Sequence, residues 1–566
     1  MSHEINNRQG IRDIPEICTQ LGIENVVICP GSRSAPLIIA FTKYSSIHCT
    51  SIVDERSAGY FALGIAQNGR KPVALVCTSG TAVLNFAPAV AEAYYQEIPL
   101  VVFTADRPAE WIDQADGQTI RQRNIYGNYC KAAFEVPVET NTSDDVWFSA
   151  RTVAQAINTA IQHPAGPVQV NIPLREPLYA ALPSQFSNSH IIHEETSKPV
   201  LSEDQKKKFS QEWERYSKKL IVVGMLHPDH DLTSILDKLA RRSDVAVIAE
   251  NLSNTAFQNI IDTPESFFAA LEEDEKAHFQ PDLLITIGHS LVSKRAKQYL
   301  RKFQPDMHWH LDPVAKYIDT FKSLQVNIQV QPLDFLSEMS KVDTVIDSNF
   351  SLVFSGKLEQ VRCSHRQYLE KCEFSDLVAV DNILSAIPPG SVVHFSNSTP
   401  VRYSQLFQTR RDLVYFSNRG TSGIDGCTST AVGSAFASQK PVYLVTGDLA
   451  FIYDSNGLWN SSIRGNLKII VLNNHGGNIF RLIETSDEIQ EIRGYFETPQ
   501  QVNLKKLAGA FGFSVISCEN SGQLEAGLQQ LIASVTPSIL EISTDFEVNT
   551  KIFKGYYKHL KYTSVS

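Results

Sequence analysis

The 566-residue chain has no run of eighteen or more apolar residues, no CxxC pair among its nine cysteines and no excess of positive charge. The first absence excludes a single-helix membrane anchor. The second argues against zinc ribbons, and the irregular spacing of Cys18, Cys29, Cys49, Cys77, Cys130, Cys363, Cys372, Cys427 and Cys518 offers no disulfide framework. The third leaves no broad basic face for nucleic acid or an anionic membrane, because the net charge is −10. An anionic ligand must therefore meet cations gathered in one site. Residues 1–14 carry no apolar h-region, so reduced thiols and a cytoplasmic location are expected. A chain that is 43% hydrophobic and 20% charged is neither disordered nor fibrous.

What is present is a rhythm. Short apolar runs at residues 26–29, 73–77, 100–104 and 168–172 alternate with helix-length segments. Such alternation marks parallel strands covered on both faces. It returns at 220–224, 245–249, 283–288, 308–311 and 326–330, and again at 392–395, 413–416, 442–445, 469–472, 513–517 and 538–542. The polar, aperiodic stretch 182–204 reads as a linker, and 357–372 as a charged helix. The expectation is an α/β chain of three doubly wound parallel-sheet domains, 1–185, 186–355 and 356–566, without a short-period repeat. Ala58, Phe61, Ala62, Ile65 and Ala66 share one face of an amphipathic helix, with Glu55 at its start.

Gly447-Asp448-Leu449 follows one predicted strand and Asn473-Asn474 the next, with 23 residues between them. Ligands of parallel sheets bind at such carboxyl-terminal strand tips. A hard cation such as Mg²⁺ takes one or two protein oxygens and completes its shell with a diphosphate and water. Asp448 and the Asn474 amide supply those oxygens. Either half alone is more often an ordinary turn; together they favour a metal site.

This pair resembles the fingerprint of thiamine-diphosphate enzymes, with Leu449 at a position that is usually glycine. The resemblance implies thiamine diphosphate and Mg²⁺ as cofactors, with Mn²⁺ able to substitute, and the Gly476 carbonyl as a third protein ligand. It implies that Glu55, in Val53-Asp54-Glu55-Arg56-Ser57, shares a proton with the aminopyrimidine ring and is the catalytic acid–base; a desolvated carboxyl suits that task. Gly420, Ser422, Gly423 and Ile424 form a glycine-rich turn whose amides approach the cofactor. Ile424 props the cofactor's bend, while Asn478, Ile479 and Phe480 complete its seat.

Across nearly the whole chain the resemblance narrows to the 2-succinyl-5-enolpyruvyl-6-hydroxy-3-cyclohexene-1-carboxylate synthases. It rests on Cys29-Pro30-Gly31-Ser32-Arg33, Thr104-Ala105-Asp106-Arg107-Pro108 with Gln118, Ser293-Lys294-Arg295, Ser396-Asn397-Ser398 with Arg402, Ser417-Asn418-Arg419-Gly420, and residues 473–480. The implied substrates are 2-oxoglutarate and isochorismate, both dianions. Ser32, Arg33, Arg107, Gln118, Lys294, Arg295, Ser398, Arg402 and Arg419 are the implied substrate residues, since arginine forks clasp carboxylates in pairs of hydrogen bonds. Residues 101–118 hold no histidine, and the absence of the histidine pair of pyruvate-type decarboxylases suits carbon–carbon bond formation. No G-x-G-x-x-G follows residues 220–223, which disfavours a dinucleotide-binding relative. A homo-oligomer with active sites at its subunit interface is expected, with neither nucleic acid nor membrane as partner. His475 stands where asparagine is common, and Pro400 fixes the backbone between Ser398 and Arg402.

Overall fold

The computed structural model describes residues 8–188, 190–344, 348–482 and 491–562. Three wholly parallel sheets follow one another. The first contains β1 (Asn25–Ile28), β2 (His48–Ser51), β3 (Val73–Cys77), β4 (Leu100–Asp106), β5 (Ala133–Glu135) and β6 (Val168–Pro173), in spatial order β2-β1-β3-β4-β6-β5. The second contains β7 (Lys219–Val223), β8 (Val245–Ala249), β9 (Leu283–Ile287), β10 (Met307–Asp312) and β11 (Val326–Gln329), in order β11-β10-β9-β7-β8. The third contains β12 (Val392–Phe395), β13 (Val414–Phe416), β14 (Val442–Gly447), β15 (Leu467–Asn473), β16 (Ser514–Cys518) and β17 (Ser538–Ser543), in order β13-β12-β14-β15-β17-β16. Counted from its first strand, the third sheet repeats the order of the first.

The predicted doubly wound α/β architecture is present. Most central strands are largely apolar because side chains alternate between two covered faces, although β6 buries Gln169 and Asn171 and β10 buries His308 and His310. In β3, Val73, Leu75 and Cys77 join one core cluster while Ala74 and Val76 join the other. Two edge strands, β2 and β5, escaped the sequence reading. Both are short: β2 reads His-Cys-Thr-Ser and is polar, and β5 reads Ala-Phe-Glu and has only three residues, too few for a recognisable apolar run.

In both outer sheets the chain leaves adjacent strands in opposite directions, between β1 and β3 and between β12 and β14. Such switch points open a crevice beyond the strand ends. The loop after β12 holds Ser398, the helix that follows β14 directly opens on Asp448, and the loop after β1 holds Ser32 and Arg33. Among the described residues no helix is long and apolar enough to cross a membrane, and all nine cysteines are free thiols.

The first and third sheets share one core. Phe61, Ala62 and Ile65 from the helix Glu55–Gly69 lie in the same cluster as Ala431, Val432 and Ala435 from the helix Cys427–Ala437. The two helices touch backbone to backbone. A methyl group at Gly64 would overlap the carbonyl of Thr430, and one at Gly433 the carbonyl of Phe61. Overpacking of this kind typically costs about 1–3 kcal/mol. Gly64→Ala is therefore expected to lower the thermal unfolding midpoint. Gly69→Ala, at the open end of the same helix with no atom within 4 Å of the added carbon, should leave it unchanged or raise it slightly. Calorimetric scans of both variants check the pair; equal midpoints would mean that the crossing is loose.

Candidate active site

β14 and β15 are neighbours, and their register sets Gly447 beside Leu472. Asp448 and Asn473-Asn474 thus leave the sheet side by side. Asp448 opens the helix Asp448–Tyr453 and is buried. Burial pushes its carboxyl up to about 6, against the opposing pull of the Gln500 amide, which donates to Oδ2 at 2.8 Å. Asn474 donates its Nδ2 to Asp376 Oδ2 at 2.9 Å, which leaves Oδ1 buried without a hydrogen-bond partner. Gly476 has no room for a side chain, since a carbon there would lie 2.8 Å from the Glu497 carbonyl. A buried carboxylate and an unpartnered amide oxygen on adjacent strand tips are the donors a hard divalent cation takes from protein. The residues present fit Mg²⁺ held jointly with a diphosphate.

The glycine-rich turn is anchored to the first sheet at its first position. Gly420 and Thr421 donate their amides to the Glu92 carboxylate, each at 2.7 Å, and the Thr421 hydroxyl adds a third bond at 2.6 Å. Glu92 lies on the first sheet's helix Ala87–Gln96 and is fully buried. The Gly420 amide thus faces a carboxylate of this chain. Ser422 has φ 63° and is exposed, the Gly423 carbonyl accepts from Asn397 Nδ2 at 2.6 Å, and Ile424 is half-buried. The Asn478 side-chain amide donates to the Phe546 carbonyl at 3.2 Å and accepts from Thr550 Oγ1 at 3.3 Å, at the C-terminal helix. Leu449, Ile479 and Phe480 remain half-buried near the strand tips, with Phe480 packed on Phe496.

Glu55 begins its helix behind Asp54, whose carboxylate caps the Ser57 amide at 3.1 Å. Asn456 Nδ2 donates to Asp54 at 2.7 Å and Arg56 to the Tyr453 carbonyl at 2.8 Å, so the segment after Asp448 flanks Glu55. A cavity of about 440 Å³ opens there, lined by Asp54, Glu55, Arg56, Asn85 and Asn456. Among the described residues the Glu55 carboxylate has neither hydrogen bond nor ion pair.

The cations form two groups. Arg33 donates to the Leu174 carbonyl at 2.9 Å; burial, and then Arg107 opposite, lowers its pKa. Arg107 pairs with Asp116 at 2.6 Å and donates to Ser79 Oγ at 2.8 Å and to the Gln118 carbonyl at 3.0 Å. Ser32 and Gln118 are exposed beside them.

The second group lies where the central sheet's helices meet the third sheet. Arg419 donates to Asn397 Oδ1 at 2.8 Å, and burial together with Arg402 lowers its pKa. Ser398, at φ 76°, precedes the helix Thr399–Ser404 that carries Arg402; Pro400 sits in its first turn, where a fixed φ is tolerated. Arg295 pairs with Glu265 at 3.4 Å and stacks on Tyr557, while Lys294 is exposed at the start of its helix. Arg295 thus stands with Arg402 and Arg419, not with Arg33 and Arg107.

Two members of this group were not singled out in the sequence. Lys297, whose pKa burial lowers, feels both Arg419 and Arg402 and lies one helical turn beyond Lys294. Glu250 is wholly buried, and burial pushes its carboxyl up to about 7. It accepts the Val292 and Ser293 amides at 2.6 Å each and so fixes the turn before Lys294. The i, i+3 spacing could have revealed Lys297; nothing local reveals Glu250.

Known proteins resemble this chain over nearly its whole length. Residues 8–125 match the N-terminal TPP binding domain of thiamine pyrophosphate enzymes, 186–388 the middle domain of thiamine pyrophosphate, and 398–542 the C-terminal TPP binding domain. A 2-succinyl-5-enolpyruvyl-6-hydroxy-3-cyclohexene-1-carboxylate synthase from Flavobacterium psychrophilum is 42% identical over 551 residues, covering 97% of this chain and 98% of that protein. Proteins of the same name from Cytophaga hutchinsonii and Bacteroides thetaiotaomicron are 38% and 35% identical, covering 99% and 98% of this chain and 100% and 99% of their own lengths. Three matched domains and full-length relatives of one name place the chain in the 2-succinyl-5-enolpyruvyl-6-hydroxy-3-cyclohexene-1-carboxylate synthase family of thiamine pyrophosphate enzymes.

Proposed function

We propose that this chain binds thiamine diphosphate through Mg²⁺, decarboxylates 2-oxoglutarate and joins the remaining four-carbon unit to isochorismate. The products are 2-succinyl-5-enolpyruvyl-6-hydroxy-3-cyclohexene-1-carboxylate and CO₂, in menaquinone biosynthesis in the cytoplasm. The observation that carries the reading is the buried, unpartnered Asn474 Oδ1 beside the desolvated Asp448. Thiamine diphosphate supplies, when bound, the electron sink that carbanion chemistry needs. Asp448, Asn474 and the Gly476 carbonyl hold the metal, and Mn²⁺ replaces Mg²⁺ because both prefer oxygen. Leu449, Ser422, Gly423, Ile424, Ile479 and Phe480 line the cofactor's seat, while Gly420 and Asn478 support it from behind.

Glu55 holds the proton shared with the aminopyrimidine ring nitrogen. In the single chain this carboxylate is half-exposed; Val53 and Leu84, next to cavity residues in sequence, and Tyr453, whose ring lies under Arg56, are about half exposed although large and apolar. Such a surface calls for cover, which supports a homo-oligomer with a second copy of the chain closing the site. The division into units at 1–185, 186–355 and 356–566 belongs to the same reading. Each cation group takes one dianion: Ser398, Arg402 and Arg419, with Lys294 and Arg295, the 2-oxoglutarate carboxylates, and Ser32, Arg33, Arg107 and Gln118 the isochorismate carboxylates.

Glu55→Gln keeps size but cannot share the proton. It is expected to slow deuterium exchange at the cofactor's C2 by roughly 10²–10⁴-fold while cofactor affinity stays near that of the parent; quenched-exchange NMR reads both, and unchanged exchange would return Glu55 to the role of a helix-end acid. Loss of one member of a desolvated charge pair costs about 3–5 kcal/mol, more than a hundredfold in rate at about 1.4 kcal/mol per factor of ten. Arg402→Ala should therefore cut single-turnover CO₂ release from 2-oxoglutarate. Arg33→Ala should spare that step and raise the isochorismate requirement more than tenfold. Equal damage to CO₂ release by both variants would overturn the division into two sites.

A further inference from the structure

An asparagine can serve a cation with only one of its two ends, because the other end is an NH₂ donor. Which end faces the cation is decided by what stands behind the amide. At Asn474 that is Asp376, whose Oδ2 accepts Nδ2 at 2.9 Å, so that Oδ1 points away, buried and unpartnered. Asp376 is itself completely buried at the first position of the helix Asp376–Ala386. Its second oxygen accepts the Thr544 hydroxyl at 2.6 Å, and its backbone N–H donates to Asn549 Oδ1 at 2.8 Å. Asn549 Nδ2 donates to Thr544 Oγ1 at 2.9 Å, and the Thr544 amide donates to the Asn473 carbonyl at 3.1 Å. The bonds form a closed knot that ends on the Asn473-Asn474 pair.

An acid in a helical first turn ordinarily serves the helix dipole. Here Ser375 already caps that helix, through the Val378 amide at 3.5 Å, and both Asp376 oxygens are taken by side chains from other elements. A carboxylate only accepts, so it selects the donor end of the Asn474 amide.

We propose that Asp376 is a positioning residue of the metal site: it locks the Asn474 amide with Oδ1, rather than NH₂, toward the divalent cation. The proposal rests on the reading of Asp448 and Asn474 as cation ligands. Partners behind a metal ligand typically contribute 10–100-fold in metal affinity. In Asp376→Asn the new side chain can present its own NH₂ or oxygen to Asn474, and the amide is no longer held to one orientation.

The test is calorimetric titration of Mg²⁺ into the full-length protein with thiamine diphosphate at fixed concentration, beside the thermal midpoint of each variant. Asp376→Asn is expected to bind Mg²⁺ about 10–100-fold more weakly. The exchange variant, Asp376→Asn with Asn474→Asp, is expected to recover to within about tenfold of the parent, because a carboxylate at 474 offers oxygen at either end and accepts from the new amide. Recovery on exchange is a result that a merely structural role for Asp376 does not give. Unaltered Mg²⁺ affinity in Asp376→Asn, beside weakened affinity in Asp448→Asn, overturns the positioning role alone. Thiamine diphosphate binding by the parent that ignores Mg²⁺, or Asp448→Asn binding Mg²⁺ like the parent, overturns the metal reading and the proposal with it. Should Asp376→Asn fail to fold, the exchange variant decides: affinity within tenfold of the parent supports the proposal, and weaker binding overturns it.

Discussion

The site hangs on one close approach, that of the helices Glu55–Gly69 and Cys427–Ala437, where Gly64 and Gly433 let backbone rest on backbone. The first helix begins at Glu55; the second begins just after the glycine-rich turn. Any side chain in the contact would spread the helices and carry those ends apart. The contact also fuses the cores of the first and third sheets into one cluster. Two polar locks then set its orientation. Tyr60 donates to Asp425 at 2.6 Å, and Glu92 gathers the amides of Gly420 and Thr421. Buried carboxylates at such a seam are costly unless every oxygen is bonded, and the Glu92 oxygens are.

Much of the fold was legible because a strand covered on both faces is mostly apolar. β3, β4, β7, β8 and β15 are buried along their whole lengths, and each showed in the sequence. β2 and β5 did not, because an edge strand is held by hydrogen bonds to one neighbour and needs few apolar side chains. The equal strand order of the outer sheets was invisible for a different reason. Topology follows from the direction in which the chain crosses each sheet, and no residue type records that direction.

At the candidate site, the residues proposed to face a ligand stand in motifs that the sequence displays, whereas those bonded behind them do not. Asp448 and Asn474 sit in short motifs at strand tips, where spacing alone brings them together. Asp376, Glu92 and Glu250 touch their charges through partners far away in sequence: Glu92 is 328 residues from Gly420, and Asp376 is 98 from Asn474. An isolated acid on a helix looks the same whether it meets water or a buried amide. For the same reason the bonds that Gly420 and Asn478 make within the chain were not legible.

The knot around Asn474 draws on Asp376, Thr544 and Asn549, the last two reaching the third sheet from its final strand and helix. During synthesis the strands that carry Asp448 and Asn474 emerge well before Thr544 and Asn549 do. A nascent chain therefore carries Asp448 and Asn474 for some seventy residues of elongation before the backing of Asn474 is complete. The backing of Asn474 is thus among the last contacts the polypeptide can complete, and it shares its final helix with the core, since Ile552, Phe553, Tyr556 and Leu560 of Phe546–Tyr562 are buried beneath the third sheet.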